Sequence, residues 1–146
     1  MLTMEMLQEA KKVLDGVARK TPVFQSTYIN PDADVYIKCE NMQVTGSFKL
    51  RGAYFKTASL TDEEAQKGVI ACSAGNHAQG VALAAQKKGI PAVICMPESA
   101  PMAKVEATRS YGAEVVLVPG VYDDAAAKAT QLQQEKGYTF LHPFND

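Results

Sequence analysis

The sequence predicts an α/β fold, a parallel sheet with flanking helices, three-layered and Rossmann-like. Three short apolar runs recur along it: "GVIACS" (Gly68–Ser73), "PAVICMP" (Pro91–Pro97) and "AEVVLVPG" (Ala113–Gly120). Each is followed by a stretch of helical periodicity, at Asn76–Lys88, Pro101–Tyr111 and Asp123–Lys136. Strand–helix alternation at this spacing is the signature of parallel strands joined by crossover helices. A composition of 47% hydrophobic and 21% charged residues fits a globular domain with a core of its own.

The elements follow in order. Thr3 to Ala18 places Leu, Met, Val and Ala at helical spacing and reads as a helix. "TPVF" (Thr21–Phe24) reads as extended, because Pro22 disfavours helix in the residue before it. After a turn at Asn30-Pro31-Asp32, "DVYIKCE" (Asp34–Glu40) alternates like a half-buried strand. A helix is expected from about Ser47 to Ser59, and Thr61-x-x-Glu64 fits a capping box for the next one. Pro101 suits the first position of its helix. A last short run, "YTFL", precedes "HPFND" with no closing helix after it. That ending suggests the cut end of a longer protein.

Several function classes are disfavoured. The net charge is −1 with no basic cluster, so neither a nucleic-acid partner nor an anionic membrane surface is expected. No apolar run approaches a bilayer span, and the amphipathic, acid-containing N-terminus resembles neither a signal nor a transit peptide. Cys39, Cys72 and Cys95 have no C-x-x-C spacing and sit in apolar runs, which suggests buried free thiols in a reducing cytoplasm. His77 and His142 lie far apart without partners at metal spacing, so no metal site is expected.

Two stretches carry chemistry. In "CSAGNHAQGVALAA" the strand ends at Ser73, small residues turn the chain, and a helix begins near Asn76. Free N–H groups at such a start attract a carboxylate or phosphate, and Gly75 would permit a positive φ and close backbone approach. The plain alternative is an ordinary turn in which Asn76 caps the helix. The spacing is neither a P-loop nor G-x-G-x-x-G. The second stretch is "TGSFKLRGA" (Thr45–Ala53), where Lys49 lies between Phe48 and Leu50 near a helix start. A partly desolvated lysine amine there is a candidate nucleophile, and the alternative is a solvated charge on an amphipathic helix. Arg51 suits a structural ion pair, and His77 a packing and hydrogen-bonding role.

Together, "SFKLRGA" and "SAGNHAQGVA" resemble the fold-type II pyridoxal-phosphate enzymes, within them the threonine dehydratase (threonine ammonia-lyase) and serine racemase branch. The resemblance spans essentially the whole chain. It implies that Lys49 carries pyridoxal 5'-phosphate covalently and later acts as catalytic base. It further implies that Phe48 lies against the cofactor ring and Asn76 bonds the phenolic oxygen. The backbone of Ser73, Ala74, Gly75, Asn76 and His77 would hold the substrate carboxylate. The implied reaction is β-elimination from threonine or serine to a 2-oxo acid and ammonia, in amino-acid metabolism such as isoleucine biosynthesis. Racemases of the family place a serine before Gly-Asn-His, where this chain has Ala74, so dehydration is favoured.

The resemblance also implies that residues 1–45 begin a large domain, that 46–146 form a small α/β domain, and that the full-length protein is a cytoplasmic homo-oligomer. The family's glycine-rich phosphate cup lies beyond the equivalent of residue 146, so the chain alone is expected to be inactive. A rival reading is a non-catalytic α/β module, amino-acid-binding or regulatory.

Overall fold

A computed structural model describes residues 2–145. Four parallel strands form the central sheet: β3 (Val69–Cys72), β4 (Ala92–Pro97), β5 (Glu114–Val118) and β6 (Thr139–Phe140). They lie in the order β5-β4-β3-β6. Val69 and Ala71 of β3 join one core with Ile94 and Met96 of β4, while Ile70, Cys72, Val93 and Cys95 join another. Because successive side chains point to opposite faces, both faces of the sheet are buried.

The helices divide between those faces. On the first lie α4 (Asn76–Lys88), through Ala78, Val81, Ala82 and Ala85, and α5 (Met102–Ser110), through Val105. On the second, α6 (Tyr122–Lys136) places Ala125 and Ala129 against Ile70 and Cys95. The division follows from direction. The chain runs β3 to β4 to β5 one way across the sheet, then reverses to set β6 beside β3. Right-handed crossovers taken in opposite directions must use opposite faces. The reversal leaves a topological switch point at the carboxyl ends of β3 and β6, where sheets of this kind bind ligands.

Ahead of the sheet come α1 (Met4–Val13) and an antiparallel hairpin of β1 (Val23–Ser26) and β2 (Val35–Lys38). Next are α2 (Lys49–Ala58) and α3 (Asp62–Lys67). The first helix stops at Val13 instead of continuing to Ala18, and the chain then turns through Gly16 at φ 72°. The half-burial expected of β2 is not realised. Val35 alone in β2 is half-buried, and Val23, Phe24, Tyr36 and Ile37 are exposed. Cys39 follows β2 and is half-buried, whereas Cys72 and Cys95 are buried free thiols. Burial pushes the Cys95 thiol up to about 11 and raises that of Cys72, which leaves neither as a nucleophile. The Thr61–Glu64 capping box forms as expected, while Pro101 is the N-cap of α5 and not its first helical residue. No helix among the described residues is long and apolar enough to cross a membrane.

A polar network ties the segment before the sheet to α2. Arg51 donates to both Glu40 oxygens, each at 2.8 Å, and Thr21 Oγ1 donates to Glu40 Oε1 at 2.6 Å. Arg51 is thus the ion-pair donor that its context suggested. Its guanidinium is the main cause holding the Glu40 carboxyl near 2, below the ordinary 4.5, with burial opposing and the Thr21 hydroxyl adding. A depressed folded pKa contributes stability that is present above pH 4.5 and is lost as pH falls towards 2. Arg51 is 35% exposed, so solvent screening reduces the contribution to about 1–2 kcal/mol. Glu40→Gln should therefore lower stability by that amount at pH 7 and flatten the acid limb of urea unfolding midpoints.

Candidate active site

The switch point holds a cavity of about 480 Å³, whose lining includes Phe48, Lys49, His77, Leu141, Pro143 and Phe144, together with Leu2 and Met6. Lys49 is the first residue of α2, and its backbone N–H donates to Ser47 Oγ at 3.1 Å. Leu50 beside it is fully buried and anchors the helix, so the lysine side chain, itself half-buried, projects from a fixed backbone. Its Nζ donates to the Pro143 carbonyl at 2.8 Å and lies 5.6 Å from the ring centres of both Phe48 and Phe144. Aromatic rings at this distance attract an ammonium through their quadrupoles. Lys49 is therefore not the solvated helix charge of the plain reading.

The close approach of α4 sets this position. A Cβ on Gly80 would lie 3.1 Å from the Lys49 carbonyl carbon and oxygen and 3.3 Å from Leu50 N. These three nearest atoms are all backbone, so none of them can swing aside. Gly80→Ala should separate α2 from α4 by a few tenths of an ångström. Stability should fall by less than about 2 kcal/mol, read from urea unfolding midpoints. An unchanged midpoint would show that the contact between α4 and the Lys49 backbone is loose.

His77 joins this wall from the first turn of α4. It is buried, with Nε2 3.0 Å from the Leu141 carbonyl, and so links the carboxyl end of β3 to that of β6. That is the packing and hydrogen-bonding role read from the sequence. Beyond β6, His142 Nδ1 accepts from the N–H groups of Phe144 and Asn145, each at 3.2 Å, and curls the segment over Lys49. Phe144 and Pro143 were not singled out in the sequence. Their contact with Lys49 spans about a hundred residues, and no local periodicity reports it.

The loop Ser73–His77 differs from expectation in two ways. Gly75 is the N-cap of α4 at φ −133°, not positive, and a Cβ on it would meet only Ser73 Oγ at 4.0 Å. The turn is closed instead by the Gly75 N–H donating to Ser73 Oγ at 3.2 Å. Asn76 does not cap the helix: it is the first helical residue, no side chain caps α4, and Asn76 Oδ1 accepts from Lys104 Nζ of α5 at 2.9 Å. The start of α4 therefore keeps the uncapped N–H groups that suit an anion. Lys49, Phe48 and His77 share the cavity wall, whereas Ser73, Ala74, Gly75 and Asn76 lie beside it and are not lining residues.

Residues 14–146 match the family model described as "Pyridoxal-phosphate dependent enzyme". The chain belongs to this family. Within it, the chain is 49% identical to the L-threonine ammonia-lyase of Thermotoga maritima, over all of this chain and 37% of that protein. Among solved structures it matches maize serine racemase, with a TM-score of 0.91 and 36% identity over 98% of this chain and 44% of that one. It also matches the processed threonine deaminase isoform 2 of Solanum lycopersicum, with a TM-score of 0.86 and 39% identity over 100% and 42% of the two chains. The chain thus spans about two fifths of the length of these relatives. Its three-layer α/β architecture and its dependence on pyridoxal phosphate are those of the family.

The residues present fit one end of that cofactor. An amine that can bond covalently to an aldehyde projects into a cavity between two aromatic rings, next to an uncapped helix start. Among the described residues no glycine-rich loop faces the cavity to seat a phosphate.

Proposed function

We propose that the full-length protein is a pyridoxal-phosphate-dependent ammonia-lyase that converts threonine or serine to a 2-oxo acid and ammonia by β-elimination. The observation that carries this reading is the Lys49 amine, set in the switch-point cavity between Phe48 and Phe144. When bound, the cofactor supplies an electron sink for the charge left at the substrate Cα. Lys49 Nζ would hold it covalently and, once displaced by the substrate amine, take the Cα proton as general base. Phe48 would cover one face of the ring, and Asn76 would donate to its phenolic oxygen. The backbone of Ser73, Ala74, Gly75, Asn76 and His77 would hold the substrate carboxylate at the positive end of α4, through N–H groups other than those of Ser73 and Gly75, which donate to the Cys95 carbonyl and to Ser73 Oγ.

Ala74 argues against racemisation. Its methyl group cannot move a proton, so this loop offers no acid–base group at the position where a racemase carries serine. In this reading residues 1–45 open a large domain and 46–146 form a small one. The exposed apolar hairpin residues suit a surface that further chain covers. We place the full-length protein in the cytoplasm as a homo-oligomer, in amino-acid metabolism, with isoleucine biosynthesis as a fitting destination for a threonine-derived 2-oxo acid.

The test is a titration of the full-length protein with pyridoxal phosphate, followed by a 2-oxo acid assay on threonine and on serine. A visible absorption band and turnover of either amino acid are expected. A protein that shows neither is the non-catalytic α/β module, and one that inverts serine without releasing ammonia is a racemase.

A further inference from the structure

Lys104 occupies a position that electrostatics alone would not choose. It lies in the first turn of α5, and its ammonium reaches the first residue of α4. The positive ends of two helices therefore converge on a cation. Neither first turn contains an acidic residue, and neither helix start is capped by a side chain. The hydrogen bond described for the Lys104 ammonium goes to Asn76 Oδ1, a neutral acceptor. A lysine at this place serves an anion that arrives later, or it serves Asn76.

The chemistry of the amide links the two. An asparagine side chain has one accepting and one donating end of nearly equal shape, and a free amide can present either. An ammonium only donates, so Lys104 selects the rotamer whose oxygen faces α5. The Asn76 NH2 group is then left as the free end, and no described hydrogen bond uses it. Val105 and Thr108, both buried, fix α5 on the sheet and so fix where Lys104 begins.

We propose that Lys104 is a positioning residue for the cofactor. It holds Asn76 Oδ1 so that the Asn76 NH2 always donates to the phenolic oxygen of pyridoxal phosphate, and through that donor it favours the ionised form of the oxygen. The proposal rests on the reading of Asn76 given above.

The test compares full-length wild type with Lys104→Met, Lys104→Arg, Asn76→Ala and the double variant Asn76→Ala/Lys104→Met. Each is titrated with pyridoxal phosphate, and the pH midpoint of the visible band is recorded. Lys104→Met should weaken cofactor binding about tenfold and raise the midpoint by about one pH unit, since the ionised phenolic oxygen loses a steady donor. Lys104→Arg should stay within about twofold of wild type, because it keeps the charge and the donor. In the Asn76→Ala background, Lys104→Met should add less than about twofold, as expected for two groups acting as a unit. A Lys104→Met protein with the wild-type midpoint and affinity overturns the proposal, as do effects that simply multiply with those of Asn76→Ala. Lys104→Gln replaces the Met variant if the latter fails to fold. A wild type without any band sinks the lyase reading and this proposal with it, whereas a wild-type band that Lys104→Met leaves unmoved sinks this proposal alone.

Discussion

Replacing Lys49 by alanine in the full-length protein should abolish the visible absorption of the bound cofactor and cut ammonia release from threonine by more than about 10³-fold. Two roles fall on one amine in the proposed function, the covalent hold and the proton transfer, and alanine removes both. The fold should survive. The Lys49 side chain makes one hydrogen bond, to the Pro143 carbonyl, and its stacking partners Phe48 and Phe144 are themselves exposed. Loss of a single charged donor of this kind costs about 1–3 kcal/mol at most. Lys49→Arg provides the sharper control. It keeps the cation between the two rings but offers no nucleophilic amine, so it should match alanine in activity and wild type in stability. An arginine variant with wild-type activity would mean that the charge, and not the amine, is what the site uses.

The second large effect is on folding. Gly68 closes α3 and enters β3 at φ +90°, ψ −175°, a backbone conformation that side chains rarely adopt. A Cβ there would lie 2.6 Å from the Pro91 carbonyl oxygen and 2.9 Å from Pro91 Cβ. The same Pro91 carbonyl accepts from Val69 N at 2.9 Å, and the Gly68 carbonyl accepts from Thr139 N at 3.0 Å. A side chain at position 68 would thus press on the points where β3 is joined to the start of β4 and to β6. Backbone strain of about 1–3 kcal/mol adds to a similar overpacking cost, so Gly68→Ala should destabilise by about 3–5 kcal/mol. Urea unfolding with an unchanged slope and a lowered midpoint would register it. A loss under about 1 kcal/mol would show that the β3–β4 entry can open without harm.

Local pattern carried much of the fold. Helix α4 occupies Asn76–Lys88 as its periodicity indicates, and β3, β4 and β5 lie inside their apolar runs. The strand order does not follow from periodicity, because reversal of the chain before β6 is a property of the assembled sheet. It is that reversal which creates the switch point. In the site, the helix start beside Lys49 and the helix start after Ser73 were legible, since both follow from short-range chemistry, whereas the sequence left open whether Asn76 caps α4. The orientation of Asn76 towards Lys104 and the closure of Pro143 and Phe144 over Lys49 were not, since they join residues 28 and 94 positions apart. Gly80 did leave a trace. A lone glycine inside an apolar helix costs stability, and here it permits the contact with the Lys49 backbone.

The most direct measurement of the central claim is chemical. The full-length protein, loaded with pyridoxal phosphate, is reduced with borohydride, which fixes any bond between the cofactor and an amine, and its peptides are weighed. The added pyridoxyl mass should fall on the peptide that contains Lys49, at that residue. The same mass on a different lysine, or on none, would contradict the assignment of Lys49 as the residue that carries the cofactor.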